Sequence, residues 1–161
     1  MTAASLHLPV ATIEGLNLAR LVAEFREMLV AQITDDRADP ALTRLAPDPY
    51  PEDAEASRAF AEATRDDLFD RRAADAAVVS ASLADFESDA ADDALAPRQL
   101  VIPLSDVDAW LRTLTAVRLV LANRLGIVRD DDLGDDDPRR GVYDWLGYRL
   151  ELLIQAADAA E

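Results

Sequence analysis

From Pro51 to Phe86 the chain has no internal Pro or Gly. As one straight helix this stretch would run about 54 Å at 1.5 Å per residue, more than a small domain spans. Its apolar residues gather around Phe60 and again at Val78, Val79, Leu83 and Phe86, whereas Thr64-Arg65-Asp66-Asp67 and Asp70-Arg71-Arg72 make a polar centre. That pattern predicts a bend or break near residues 64–74. Breakers are sparse elsewhere too: the 5 Gly are scattered and the 8 Pro fall mainly between periodic segments, while Ala supplies 31 residues. This balance excludes a β-rich fold of many tight turns and favours helix.

The periodic segments can be placed in order. Leu6 to Val10 alternate briefly, with Pro9 limiting the strand they form. Leu18, Leu21, Val22, Phe25, Met28, Leu29 and Ile33 recur at spacings of three and four, which predicts an amphipathic helix from about Ile13 to Ile33. Asp39-Pro40 is an N-cap followed by proline at the first helical position, opening a short helix to about Leu45. Pro47, Pro49 and Pro51 then interrupt the chain before Pro51, Glu52 and Asp53 start the long stretch. Residues 87–98 read as an acidic loop closed by Pro97. Gln99 to Ile102 form a second strand candidate that could pair with the first. Ser105 with Asp108 is a capping-box variant, and Val107, Trp110, Leu111, Leu114, Val117, Leu121 and Leu125 share one helical face up to Gly126. Pro138 begins a last helix with Val142, Trp145, Leu146, Leu153 and Ala156 inward. With 161 residues, half of them apolar, one core suffices, and a chain of this size buries roughly 70% of its unfolded surface. The expected architecture is mainly α: a single-domain helical bundle, residues 1–161, of four to five principal helices with a small two-stranded patch (residues 6–10 and 99–103).

Charge narrows the function classes. All 16 basic residues are Arg, and 23 Asp plus 9 Glu bring the net charge to -16. Nucleic-acid affinity rests on clustered cations displacing counterions from phosphate, and here Arg71-Arg72 and Arg139-Arg140, the adjacent pairs, each have Asp within the two preceding residues. Direct DNA binding is not expected. A helix-turn-helix is excluded as well, because about eleven residues rich in Asp separate the last two predicted helices where the motif allows three or four. The N-terminal residues have neither a basic region nor a following apolar one, and no apolar run approaches 18 residues, so a cytoplasmic protein without membrane association is expected.

Catalytic constellations are thin. There is no Cys, hence no thiolate nucleophile, disulfide or thiol switch, and His7 is the single histidine. Asp130 to Asp132 and Asp135 to Asp137 invite a calcium reading, but Leu133 and Gly134 break the EF-hand register. Asp67, Arg71 and Asp75 at spacings of four predict ion pairs along one helix face and call for no reaction. The scattered glycines build no phosphate loop. A protein that is not an enzyme and needs no cofactor is expected. A carboxylate-based metal-binding protein or enzyme, using residues 66–75 or 130–137, is the competing class.

Two blocks carry a family resemblance: Ala109-Trp110-Leu111 with Val117-Arg118-Leu119-Val120-Leu121-Ala122-Asn123-Arg124-Leu125-Gly126, and Tyr143-Asp144-Trp145-Leu146-Gly147-Tyr148. Together with Leu18 to Leu21, Asp39 to Leu42, Pro47 to Pro51, Asp66 to Leu68 and Val78 to Leu83, they resemble a family of short acidic helical proteins from actinobacteria. That family was long catalogued as a domain of unknown function and is associated with the oxidative-stress transcriptional regulator AosR. The resemblance implies a cytosolic regulator that contacts a protein partner, a stress sigma factor or RNA polymerase component, with an accessory role in Clp-type regulated proteolysis as the alternative. Thiol sensing, which needs a cysteine pair, is not carried over. The family positions in this sequence are Trp110, Arg118, Arg124, Tyr143, Asp144, Trp145 and Tyr148, either partner-binding or structural. On the structural reading a buried Arg118 pairs with Asp144 beside the two tryptophans and locks the last two helices together.

Overall fold

A computed structural model describes residues 4–34, 39–46, 49–88, 93–129 and 138–160. Strand β1 (Ser5–Ala11) leads directly into helix α1 (Thr12–Thr34). A short helix α2 (Pro40–Thr43) precedes the long α3 (Ala54–Ser88). Strand β2 (Pro97–Pro103) then passes through a single 3-10 turn into α4 (Val107–Leu125), and α5 (Pro138–Asp158) closes the chain. The two strands pair antiparallel, with Leu6 opposite Ile102 and Leu8 opposite Leu100, so the expected patch forms. Alternation sends Leu6, Val10, Leu100 and Ile102 inward against the helices, while His7, Pro9 and Val101 face out.

Each helix end shows why it lies where it does. The first N–H groups of α1 are satisfied by the loop before β2: Thr12 and Ile13 donate their backbone N–H to the carbonyls of Ala96 and Ala94, and the Thr12 hydroxyl also donates to Ala96. Asp39 caps α2 by accepting from the Ala41 N–H at 2.9 Å. At the end of α4, Gly126 takes φ 70°. Its N–H donates to Asn123 O and the Ile127 N–H to Ala122 O, a Schellman turn in which Ile127 packs against Ala122 and Tyr143. Two expected starts are displaced. The long helix begins at Ala54, not at Pro51, because Asp53 is the residue whose carboxylate accepts from the Ala56 N–H. Before α4, Ser105 donates to the Asp106 carboxylate and makes no capping box with Asp108; residues 104–106 form the 3-10 turn instead.

The core lies where α1, α3, α4 and α5 meet the inner face of the sheet. Leu18, Val22, Phe25 and Leu29 of α1 meet Ala76, Val79, Leu83 and Phe86 of α3, and Trp110, Leu114 and Val117 of α4 pack beneath Leu146 and Leu153 of α5. Gly15 is required at its position. A Cβ there would lie 2.1 Å from Cδ1 of Phe86, so this contact admits hydrogen alone. The Arg98 guanidinium lies over that ring, 4.4 Å from its centroid. Val142, expected inward, is exposed, because Tyr143 and Leu146 take the buried face of α5.

The break expected in the long helix does not occur: α3 runs continuously through residues 64–74. Its polar centre is held by other elements. Arg65 donates to the Gln32 carbonyl at 3.0 Å and lies over Phe69, Arg72 donates to the Leu45 carbonyl at 3.1 Å, and Phe69 between them is buried. Asp75 pairs with Arg112 of α4 in a two-pronged contact at 2.8 and 3.1 Å, across the bundle and not along its own helix with Arg71.

Candidate functional site

The family block on α5 distributes its side chains over three faces. At i and i+4, Tyr143 and Gly147 form a shelf for Arg118 of α4. The guanidinium lies 4.0 Å from the Tyr143 ring centroid, its Nε donates to the Tyr143 carbonyl at 3.4 Å, and a Cβ on Gly147 would come within 3.0 Å of Arg118 Nε and Nη2. The absent side chain at Gly147 is what lets the planar cation lie flat on the helix. Arg118 therefore does lock α4 to α5, but through an aromatic ring and a carbonyl. Its expected partner Asp144 is exposed and pairs with Arg140 one turn earlier, at 3.1 Å.

Trp145 turns toward α1. Its indole Nε1 donates to Glu14 Oε1 at 2.8 Å, and the same oxygen accepts from Arg149 Nε at 3.1 Å. The second oxygen, Oε2, accepts from the Ala11 N–H at 2.8 Å and is ion-paired with Arg149 Nη2. Nη1 of Arg149 donates to the Pro9 carbonyl at 3.2 Å. One carboxylate thus joins the end of β1, the first turn of α1 and the middle of α5. The Arg149 hydrogen bond holds the Glu14 carboxyl at about 2, well below the usual carboxylate range, with the Ala11 and Trp145 donors adding to it. Neither Glu14 nor Arg149 stands out in the sequence. The available signal was local: a Glu four residues after the end of a strand candidate, in the position where a helix's first turn accepts N–H groups.

Arg124 extends from the end of α4 to Asp39 Oδ2 at 2.7 Å, so Asp39 both caps α2 and anchors α4. Trp110 is fully buried, and Tyr148 is 59% exposed on the outer face of α5. Of the seven family positions, then, Arg118 with Tyr143 and Trp145 with Glu14 form two separate interhelical locks, while Asp144 and Tyr148 face solvent.

Two surface concavities complete the candidate sites. One, about 540 Å³, lies between α1 and α5 and is lined by Glu14, Arg20, Glu24, Gly141, Val142 and Trp145. The other, about 500 Å³, lies between α2 and the first half of α3, where Leu42, Ala46, Pro49, Phe60 and Leu68 give it apolar walls and Arg58, Arg65 and Arg71 stand among its charged residues. Phe60 is 47% exposed there and meets Tyr50 edge-on at 6.3 Å. The Ser57 hydroxyl closes that corner by accepting from the Tyr50 N–H and donating to the Tyr50 carbonyl. Among the described residues no three or more His, Asp or Glu side chains converge as metal ligands. The acidic segment 130–137 lies outside the described residues. Among the described residues no helix is long and apolar enough to cross a membrane.

Neither the curated proteins nor the solved structures give a match to this chain. The family model described as Domain of unknown function (DUF2017) matches residues 2–157, which contain both interhelical locks described above and every element except the last residue of α5. The chain belongs to the DUF2017 family.

Proposed function

We propose that this protein is a non-enzymatic cytosolic regulator of the actinobacterial type associated with AosR, acting by contact with the transcription machinery, a stress sigma factor or another RNA polymerase component, and not by binding DNA itself. The observation that carries the reading is the concavity beside the first half of α3. It sets apolar walls and a half-exposed Phe60 against solvent on a chain of charge -16. Contiguous exposed apolar surface with a polar rim is characteristic of protein interfaces. The acidic surface supports the same reading, since it repels phosphate and steers a basic partner, with an association rate that falls as salt screens the field beyond the roughly 8 Å Debye length of physiological buffer.

The test is a pull-down from stressed cytosol with the intact protein and with Phe60→Ser. The intact protein recovers a sigma factor or polymerase subunit and the variant recovers much less. Recovery of Clp components instead would move the protein to regulated proteolysis. A discrete, competitor-resistant mobility shift of duplex DNA by the purified protein would overturn the contact mechanism.

A further inference from the structure

The two edges of the sheet differ. In an antiparallel pair, hydrogen-bonded and non-bonded residue pairs alternate, so the bonds at the ends of the ladder fix which backbone groups point outward. The Leu104 N–H donates to the Ala4 carbonyl at one end, and the Thr12 N–H to the Ala96 carbonyl at the other. Given Ser5 opposite Pro103 and Ala11 opposite Pro97, the even-numbered residues bond across the sheet. The odd-numbered ones turn their N–H and C=O groups to its edges. On the β1 edge α5 and the first turn of α1 use them: the Pro9 carbonyl accepts from Arg149, and the Ala11 N–H donates to Glu14. On the β2 edge the outward groups are the N–H and C=O of Gln99 and Val101 and the carbonyls of Pro97 and Pro103. Among the described residues no partner meets the edge groups of Gln99 or Val101, and both residues are exposed. Such a row of alternating donors and acceptors is matched by the backbone of another extended chain.

The edge is also self-complementary. Its outward residues, Pro97, Gln99, Val101 and Pro103, are placed symmetrically about Leu100. In an antiparallel pairing of two copies centred on Leu100, Gln99 faces Val101 of the partner and Val101 faces the partner's Gln99. Four hydrogen bonds then satisfy all the edge groups of Gln99 and Val101 in both copies. Centred on Gln99 or on Val101 instead, one of these carbonyls in each copy meets a proline nitrogen, which has no hydrogen to give. Charge points the same way. Residues 94–104 contain no Asp or Glu, and their one charge, Arg98, lies over Phe86 and reaches the Asp85 carbonyl. On a chain of net charge -16, two copies therefore meet here without placing a carboxylate in the ladder, and a basic partner finds no counter-charge on the strand. Leu95 and Leu104, exposed at the two ends of β2, are apolar surface that the pairing can cover.

We propose that the outer edge of β2 is a self-association surface, on which a second copy of this chain adds its own β2 antiparallel about a two-fold axis at Leu100, making one four-stranded sheet. The pairing of identical edges closes on itself and does not grow into a fibre. Contact through one short strand from each copy falls below the roughly 1,000 Å² of a stable interface, so the dimer is weak, with a dissociation constant on the order of 0.1 mM. None of the residues lining the groove beside α3 belongs to β2, so failure of the dimer leaves the protein-contact reading standing.

The test is sedimentation equilibrium of the full-length protein from about 10 μM to 1 mM. A monomer–dimer equilibrium is expected that tightens severalfold as NaCl rises from about 50 to 500 mM, because salt screens the repulsion between two acidic chains. Val101→Pro removes one outward N–H, breaks no bond to β1 and weakens the dimer at least tenfold. If that variant does not fold, Gln99→Glu keeps the backbone and weakens the dimer by bringing a carboxylate from each copy to the edge. The chain has no Cys, so single cysteines report the register cleanly. Directly bonded residues lie about 5.5 Å apart at Cα, the separation a disulfide needs. A mixture of Gln99→Cys and Val101→Cys proteins should therefore crosslink faster under mild oxidation than either variant alone. A monomer up to 1 mM overturns the proposal, as does a dimer unchanged in a folded edge variant. Faster crosslinking of one variant with itself overturns the register about Leu100. Weakening of the dimer by salt overturns the uncharged interface.

Discussion

The two halves of α3 share one helix and live in different environments. In the second half Ala76, Val79, Leu83 and Phe86 are buried, spaced three and four apart against α1 and α4. In the first half residues 58–63 are exposed, and the aromatic side chains Phe60 and Tyr50 are left to each other. The difference teaches that continuity and burial are separate properties. A run without Pro or Gly propagates as helix one hydrogen bond per residue, whether or not a neighbour covers it. Burial needs an apolar stripe with the right period and a partner in reach. Arg65 and Arg72 mark the crossing point, where their guanidinium groups reach back to the carbonyls of Gln32 and Leu45.

The sharpest way to break this comparison is to delete equal side chains from the two halves. Leu83→Ala empties a fully buried site and is expected to cost about 3 kcal/mol in urea unfolding, whereas Leu68→Ala, partly buried beside the groove, costs less than about 1 kcal/mol. Similar values would mean that the first half is as well packed as the second. A second test probes the tightest contact on the packed side. Gly15→Ala forces a methyl against Phe86 and loses about 2 kcal/mol, although Ala is the better helix former. At Gly141, where among the described residues an added Cβ meets no atom within 4 Å beyond its own stretch of helix backbone, the same change gains up to about 1 kcal/mol. Thermal melts of the two variants should move in opposite directions.

Smaller effects come from the polar locks. Glu14→Gln leaves Arg149 without its counter-charge and is expected to cost about 1 to 2 kcal/mol at pH 7. Because the folded carboxyl sits at about 2 against 4.5 for an unperturbed one, the wild-type contribution is fully present above pH 4.5 and is lost as pH falls toward 2. Stability followed by circular dichroism should decline over that window in the wild type and show a shallower slope in Glu14→Gln. A parallel slope would remove Glu14 as the joint between β1, α1 and α5. Smallest of all are the exposed positions. Arg124→Ala breaks a surface pair with Asp39 and is expected to change stability by about 0.5 kcal/mol, as is typical of exposed ion pairs. A loss above about 1.5 kcal/mol would show that the α2 end is tied to the core more firmly than its exposure indicates.

Legibility in the sequence follows the range of the interaction. Asp39-Pro40 announced α2, Gly126 ended α4 and Pro138 opened α5, because caps and proline geometry act within a few residues. The alternation at 6–10 and 99–103 marked two strands that do pair. Ser105 with Asp108 misled, since the residues after β2 close a 3-10 turn first. Arg118 was legible as a cation near the helix interface, where it is half-buried, but not as the partner of Tyr143. Which acceptor it meets depends on the rotation of α5 about its own axis and on the room left by Gly147.

By itself the sequence determined the helical class, the two strands, the starts of α2 and α5, the end of α4, the net charge of -16 and the absence of cysteine chemistry. Those properties are local or additive, fixed by backbone preference, periodicity and composition. Tertiary structure decided the rest. It gave the central arginines of α3 distant carbonyls to reach and brought Glu14 to Arg149 and Trp145 across more than 130 residues. None of these could be read from spacing, because each depends on where one helix lies against another, and that is set by the packing of the whole core.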